Sequence, residues 1–299
     1  MGDRELLHHD IASIHDKIVV DAQTLIIMML FGCIEALSYI DTVYINAGSI
    51  DYLQHICFSY HNTCAVKVLQ YICKSDNMHI IADGFIQENS SENIFGKNFN
   101  VCCALSRNLH TPFLYHDVLA QVLQMNKVLI DPEVKFISIR AICGYVQTKG
   151  EEVVEQWYYN LLHGCTFISC GAKTIIYQIK ANSYEVTDEL LQPFMFCKSD
   201  YDMESFASVY CTAVRELIPE HIEAAEKLAE IVIRDTIRVW KRGQYHRMYS
   251  GTYPEHKEKA DLIYKYAMTI GISISTMLPH PSLLSLSENL STLADMLAG

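Results

Sequence analysis

The sequence predicts an α/β protein, in which a central parallel sheet flanked by helices is followed by a mostly α-helical C-terminal region. Up to residue 140, short β-branched apolar runs alternate with segments of helical spacing, which is typical of proteins built on a parallel sheet. From residue 171 onward almost every segment has helical spacing. This change of pattern predicts two domains, residues 1–150 and 151–299.

The composition indicates a folded chain with a large core. Half of the 299 residues are apolar, and few are glycine or proline. The formal net charge of −12 disfavours nonspecific binding to many nucleic-acid phosphates. An enzyme with this charge could still bind nucleic acid at one local surface. The uncharged apolar stretch of residues 22–34 is shorter than the about 20 apolar residues that span a bilayer. We therefore expect a soluble protein with no membrane partner.

The cysteines indicate reduced thiols rather than a zinc site. Their number, eleven, is odd, and no C-x-x-C spacing occurs; after the adjacent Cys102 and Cys103, the nearest local pair is Cys165 and Cys170. Structural zinc sites usually need two close pairs. Because the first residues are charged and polar, they do not read as a signal peptide, and we expect a cytoplasmic protein.

Strands and helices alternate in the first part of the chain. A short β-branched run that ends at a polar residue predicts a fully buried strand in "KIVVD", and further strands are predicted in "TVYIN" and "MHIIAD". The segments between them have helical spacing, and Ser49 is a suitable N-cap for the helix after the second strand. A further helix is predicted in "NVCCALSRNLH", and a further strand in "TPFLYHD".

Helices dominate the second part. Two helices are predicted around a turn at Gly150, followed by one more strand in "CTFIS". The later helical segments are "AKTIIYQIK", "TDELLQPFMF", "DMESFASVYCTAVRELI", "EHIEAAEKLAEIVIRDTIRVWKRG" and "HKEKADLIYKYAMTIGI".

Three carboxylates are predicted at one edge of the sheet. Asp21 follows the first strand, Asp117 follows the later one, and Asp51 lies in the first turn of the helix after the second strand. The carboxyl ends of parallel strands share an edge, where ligands bind. Three acids there would repel one another unless they held a divalent cation such as Mg²⁺ or Mn²⁺, which can activate water against a phosphodiester. The alternative is that the acids cap turns and a helix N-terminus.

The segment "IVVDAQTLIIMMLFGCIEALSYIDTVYINAGSIDYLQHI" resembles the opening of a PIN domain, and "ALSRNLHTPFLYHDVLAQVL" resembles the later PIN segment. The subgroup that it resembles is related to PIN domains associated with Gre-type elongation factors. The segment "NLLHGCTFISCGAKTIIYQI" is similar to the helical extension found there. The resemblance implies a PIN-like central parallel sheet over residues 17–125.

The resemblance also implies roles for individual residues. Asp21 matches the first metal-binding acid, Asp51 the second, and Asp117 the acid after the later strand. Where the family often has paired aspartates, this chain has His116 beside Asp117. Where a further acid is expected, Asn98 and Asn100 lie nearest, and we include Asn100 in the predicted metal site because an amide oxygen can bind a hard cation.

Two other residues near these acids have open interpretations. His116 is a metal ligand or proton shuttle on one interpretation and a plain strand-end histidine on the other. Asp83, which precedes Gly84, most resembles a turn residue and is a reserve candidate for the site.

The resemblance implies a metal-dependent nuclease, more specifically a ribonuclease that cleaves single-stranded RNA with bound Mg²⁺ or Mn²⁺. RNA is a more probable partner than DNA. The alternative is a catalytically degenerate PIN-like module that binds nucleic acid or a protein partner in a regulatory complex. Self-association into a homo-oligomer is a further expectation.

A second surface concentrates positive charge in this acidic chain. Basic residues at helical spacing, with aromatic residues among or after them, suit single-stranded nucleic acid through phosphate contacts and stacking. The basic residues are Arg234, Arg238, Lys241 and Arg242, and the neighbouring rings are Trp240, Tyr245 and His246. The alternative is a helix C-terminus enriched in cations that interact favourably with the helix dipole.

Overall fold

A computed structural model describes residues 11, 14, 16–83, 96–116, 120, 124, 133–164, 171–194, 203–234 and 273. The chain forms two compact units, Met1–Leu161 and Leu162–Gly299. Gly150 has a φ of 87° in the turn before the last helix of the first unit. Only a residue without a Cβ adopts this left-handed conformation without strain, which explains the glycine at that turn.

The first unit contains a five-stranded sheet in which every pair of neighbouring strands is parallel. The order across the sheet is β3-β2-β1-β4-β5. The strands are β1 (Lys17–Val20), β2 (Thr42–Asn46), β3 (Met78–Ile81), β4 (Phe113–Leu114) and β5 (Phe136–Ile137). The parallel sheet with flanking helices confirms the predicted α/β class.

Helices lie between the strands β1 to β4 and after β5 in this part of the chain. They are α1 (Ala22–Leu30), a 3₁₀ helix (Ile34–Tyr39), α2 (Ala47–Tyr60), α3 (Thr63–Lys74), α4 (Lys97–Leu109), α5 (Ile139–Thr148) and α6 (Val153–Gly164). The central strand β1 is apolar because both of its faces are covered: Ile18, Val19 and Val20 are fully buried.

An aromatic cluster holds α4 against the sheet. The Phe99 ring lies 5.6 Å from that of Phe113, 4.9 Å from that of Tyr115 and 5.8 Å from that of Phe136, measured between centroids. Burying one such side chain contributes about 1.5–3 kcal/mol, and edge-to-face pairs add to this. The cluster therefore fixes the N-terminal end of α4 beside the ends of β4 and β5.

The second unit is helical where the structure describes it, which confirms the predicted mostly helical C-terminal region. Its elements are α7 (Ala172–Ala181), α8 (Asp188–Leu191), α9 (Met203–Leu217) and α10 (222–234). Buried apolar residues such as Ile175, Ile179, Val214 and Leu217 lie on α7 and α9, which pack together. The predicted strand "CTFIS" and the helix "HKEKADLIYKYAMTIGI" lie outside the described residues.

Two details of the first unit differ from the prediction. The strand β5 has only two residues, which is too short to give an alternating or apolar pattern, and the sequence did not predict it. Ser49 is not an N-cap, because α2 begins directly after β2 at Ala47 and takes Asn46 as its N-cap. Ser49 is instead a fully buried residue in the first turn of the helix.

Within the described part of the chain, no helix is both long and apolar enough to cross a membrane. The eight cysteines described there are all free thiols, and four of them, Cys33, Cys102, Cys103 and Cys143, are buried. Cys165 and Cys170 lie outside the described residues.

Candidate functional site at the carboxyl edge of the sheet

The strand order places a switch point between β1 and β4. From β1 the chain proceeds to β2 and β3 on one side, and then returns to β4 and β5 on the other side. In open parallel sheets, ligands bind outside the carboxyl ends of the strands at such a point. Asp21 follows β1 directly, and Tyr115 and His116 follow β4.

Asp21 is a buried carboxylate, with 4% of its surface exposed. It is the N-cap of α1, and its Oδ1 accepts a 2.8 Å hydrogen bond from the backbone N–H of Thr24. Burial raises the pKa of Asp21, while hydrogen bonds from Thr24 and the nearby His116 act in the opposite direction. Because burial outweighs these contacts, the ionised form of Asp21 is disfavoured in the folded protein, and a bound cation would offset this cost.

Thr24 links the ends of β1 and β4. Its hydroxyl oxygen accepts a 3.2 Å hydrogen bond from the His116 backbone N–H and lies 3.3 Å from Nδ1 of the same residue. Thr24 is fully buried, and the His116 ring lies 4.6 Å from that of Tyr115. The imidazole is thus restrained on two sides at the switch point.

A hydrogen-bond network ties the end of β2 to its neighbours. Ser49 Oγ donates to Asn46 Oδ1 at 2.6 Å and accepts from the backbone N–H of Ala22 at 3.3 Å. Asn46, fully buried, donates from Nδ2 to Asp83 Oδ1 at 3.2 Å. The Gly48 backbone N–H donates to the same Asp83 oxygen at 3.2 Å. The network therefore joins the residues that follow β1, β2 and β3.

Gly48 allows two oxygen atoms to approach one point. A Cβ at this position would lie 2.7 Å from Asp83 Oδ2 and 2.8 Å from Asn98 Oδ1. The Asn98 side chain also donates from Nδ2 to the Gly48 carbonyl at 3.3 Å. The carboxylate oxygen of Asp83 and the amide oxygen of Asn98 therefore both lie next to the position that a Cβ of residue 48 would occupy. Only glycine leaves room for both oxygens.

A small open pocket lies beside these groups. It encloses about 30 Å³, enough for one or two water molecules or a single ion. Its lining consists of Asp21, Ala22, Gln23, Tyr52, Asn98 and Phe99. Carboxylate and amide oxygens suit Mg²⁺ or Mn²⁺, so the chemistry of the lining fits a hard cation.

The Cys102 thiol lies near both carboxylates. It is fully buried and donates to Asn46 Oδ1 at 3.3 Å. Burial raises the pKa of Cys102 well above its usual value, and the negative charges of Asp21 and Asp83 raise it further. Cys102 is therefore a neutral thiol in the folded protein.

Asp51 is not brought into this site. The helix begins at Ala47, so Asp51 is its fifth residue and is exposed. It lies two positions after the buried Ser49. Because two helical positions differ by about 200° around the axis, Asp51 lies on the side of α2 away from Ser49. Tyr52 lines the pocket from α2 instead.

Asn100 also lies outside the site because of its position on its helix. Asn98 lines the pocket and contacts Gly48, whereas Asn100 lies two positions further along α4 and does not line the pocket. The amide of this site is therefore Asn98 rather than Asn100. Asp117 lies outside the described residues.

Sequence reasoning kept Asp83 only as a reserve candidate and did not consider Asn46. Asp83 lies two residues after the end of β3, and Asn46 is the last residue of β2. Applying the strand-end rule equally to all three strands would have selected both residues.

The described residues include no group of three or more histidine, cysteine or acidic side chains arranged to hold a metal. Within that part of the chain, Asp21 and Asn98 line the same pocket, and Asp83 and Asn98 each place an oxygen next to the position of a Cβ on Gly48. Asp21 and Asn98 could supply oxygen ligands to a cation in that pocket, and Asp117 follows His116 directly in sequence.

The predicted basic surface is described only at Arg234. This residue forms an ion pair with Asp188 on the surface of the second unit. An exposed pair of this kind contributes about 0–1 kcal/mol, but it occupies the guanidinium. Arg238, Lys241 and Arg242 lie outside the described residues, as do Trp240, Tyr245 and His246.

No protein-family model, curated protein or solved structure matches this chain.

Proposed function

We propose that this protein is a metal-dependent nuclease that hydrolyses phosphodiester bonds of single-stranded RNA at the carboxyl edge of its sheet. The observation that carries the proposal is the position of Asp21, a buried carboxylate at the switch point that lines an open pocket. Burial of an ionised carboxylate is costly unless the charge is paired or bound to a cation.

Asp21 and Asp117 would bind Mg²⁺ or Mn²⁺, with Asn98 as a neutral oxygen ligand and Asp83 beside it. The bound cation would supply hydroxide and neutralise charge on the phosphodiester. The Thr24 backbone N–H orients Asp21, and the Gly48 N–H together with the Asn46 amide orients Asp83. These contacts hold the oxygen atoms in place before a ligand arrives, which lowers the cost of binding.

The preference for RNA comes from the resemblance to PIN domains, and the basic segment with Arg234, Arg238, Lys241 and Arg242 is the proposed contact surface for the strand. A cytoplasmic location is part of the same proposal, because the free thiols of the described residues suit a reducing compartment.

A second candidate is a non-catalytic module that binds nucleic acid or a protein partner, including a second copy of the chain. The structural roles of the acids favour it. Asp21 already caps α1, and Asp83 already accepts two hydrogen bonds, so both carboxylates would stay in place without a metal.

Calorimetry with Mn²⁺, run alongside cleavage of a fluorescent single-stranded RNA, distinguishes the two candidates. The samples are the wild type, Asp21→Asn and the control Asp76→Asn, which changes an exposed carboxylate in the turn before β3, at the opposite edge of the sheet. We expect binding and cleavage in the wild type and in the control, and neither in Asp21→Asn. A folded wild type that binds no Mn²⁺ and leaves RNA intact would overturn the nuclease and favour the module.

A further inference from the structure

The N-terminus of α10 is capped by an imidazole. His221 directly precedes this helix, and its Nδ1 accepts a 3.2 Å hydrogen bond from the backbone N–H of Ala224. The carbonyl of His221 accepts from the N–H of Ala225 at 3.1 Å, as the carbonyl of an N-cap residue does. Because Ala224 has only 2% of its surface exposed, water does not readily replace the acceptor that its N–H finds on His221.

This hydrogen bond requires a neutral ring. A backbone N–H can only donate, so Nδ1 of His221 must present its lone pair, and the proton of the neutral imidazole is then on Nε2. In the charged imidazolium both nitrogens carry a hydrogen and neither can accept. The charged ring would also add a positive charge at the positive end of the helix dipole. The cap of α10 is therefore present only while His221 is neutral.

A second contact restrains the ring. Tyr184, which follows α7, stacks on the His221 ring with 4.6 Å between the centroids and 15° between the ring planes. Tyr184 has a φ of 63°, in the left-handed region that bulky side chains rarely adopt, and its N–H donates to the Ile179 carbonyl at 2.8 Å. The backbone at the end of α7 therefore places the Tyr184 ring against the residue that caps α10.

The described charged groups around His221 do not oppose its protonation. Lys180 on α7 forms a 2.6 Å ion pair with Glu220, so the positive charge of this lysine is balanced. Glu185 and Glu223 are exposed acids that follow Tyr184 and lie in the first turn of α10, and negative charges favour a charged imidazole. The other charged side chains on α7 and on the last turn of α9 are exposed and consist of Lys173, Arg215 and Glu216.

We propose that His221 is a pH-dependent cap of α10, which is in place when the imidazole is neutral and opens when the imidazole is protonated. Imidazoles change charge between about pH 5 and 8. The capped state holds one proton fewer than the open state, so the cap is complete at the upper end of this range and is lost as the pH falls. Its loss loosens the first turn of α10. The inference is independent of the proposed nuclease function, because it uses none of the residues of that site.

Two other helices provide matched controls within the same chain. Asn62 Oδ1 accepts from the N–H of Ala65 at 3.0 Å at the start of α3, and Ser138 Oγ accepts from the N–H of Ala141 at 3.2 Å at the start of α5. Both hydrogen bonds span three residues, as in the cap of α10, and both alanines are buried. Because amide and hydroxyl oxygens do not titrate between pH 5 and 8, these two caps stay in place over the whole range.

The first test is the tautomer of His221, read from ¹⁵N–¹H correlations of the imidazole rings of the full chain at about pH 8. The variant His221→Asn identifies the signal of this ring by its disappearance. We expect the proton on Nε2. A proton on Nδ1 would overturn the proposal, because that nitrogen could not then accept from Ala224.

The second test compares hydrogen exchange at the backbone amides of Ala65, Ala141 and Ala224 at about pH 8 and about pH 5, with each rate corrected for the intrinsic exchange rate at that pH. In the wild type we expect the protection of Ala224 to fall about tenfold at the lower pH, as for the loss of a helix cap, while the other two amides change little. In His221→Asn, whose amide oxygen can cap the helix at either pH, Ala224 should stay protected. No fall at Ala224, an equal fall at all three amides, or the same fall in His221→Asn would overturn the proposal.

Discussion

The backbone N–H of Gly48 donates a 3.2 Å hydrogen bond to Asp83 Oδ1, which holds the carboxylate that follows β3 against the first turn of α2. Because α2 begins immediately after β2, this contact brings the ends of two neighbouring strands into one network. The close approach depends on the missing side chain of Gly48, and this dependence leads to the first prediction.

Gly48→Ala should destabilise the fold and displace the oxygen atoms of Asp83 and Asn98. The added Cβ would lie 2.7 and 2.8 Å from those oxygens, which is closer than a carbon normally approaches. We expect the free energy of unfolding in urea to fall by about 1–3 kcal/mol, as for other overpacked sites. The control is Gly171→Ala, where nothing lies within 4 Å of the new Cβ. Equal effects of the two substitutions would contradict the crowding argument.

Asp21→Asn should be more stable than the wild type at pH 7 in the absence of divalent cations. Burial raises the pKa of Asp21 in the folded state above its unfolded value of about 3.9. The folded state therefore binds more protons than the unfolded state. The stability that protonated Asp21 contributes is fully present below the unfolded pKa and is lost as the pH rises through the folded pKa. Asparagine avoids that loss and can still accept from the Thr24 N–H.

Thermal melts between pH 4 and pH 8 measure this effect, and we expect a flatter pH dependence in Asp21→Asn than in the wild type. Saturating Mn²⁺ should raise the melting temperature of the wild type only, because a ligand stabilises the state that binds it. A lower melting temperature for Asp21→Asn at pH 7 without metal would show that the capping role of the charge outweighs its burial.

Asp83→Ala should be much more destabilising than Asp51→Ala. Removal of the Asp83 carboxylate leaves the buried Asn46 amide and the part-buried Gly48 N–H without their acceptor, and an unpaired buried polar group costs about 1–3 kcal/mol. Asp51 is exposed on α2, so its substitution should change the free energy of unfolding by less than about 0.5 kcal/mol. Urea titration of both variants tests the difference, and a larger effect at Asp51 would return that residue to the candidate site.

Cys102 should resist alkylation in the folded protein. Burial, Asp21 and Asp83 all raise the pKa of its thiol, and the thiolate is the reactive form. Mass spectrometry after treatment with iodoacetamide at about pH 8 should find the exposed Cys73 modified and Cys102 intact. Both should react in urea. Rapid labelling of Cys102 in the native protein would show that the core around this thiol opens to solvent.

The fold class could be predicted because it depends on local patterns. The runs "KIVV", "TVYIN" and "MHII" are mostly apolar over the length of a strand, and each is confirmed as a strand of the parallel sheet. The two-residue strands β4 and β5 carry much less signal, and only the first of them lies within a predicted strand. A strand of that length is stabilised by its neighbours rather than by its own sequence.

The candidate site could be predicted only in part. The sequence alone determined that Asp21 ends a buried strand, since a polar residue after an apolar run stays at the edge of a parallel sheet. Tertiary structure decided which polar groups lie near it. The strand order places β4 beside β1, and the start of α2 at Ala47 turns Asp51 towards solvent while Ser49 is buried. Because each helical position rotates by about 100°, the first residue of a helix determines which side chains face the site, and that residue depends on how the helix packs against the sheet.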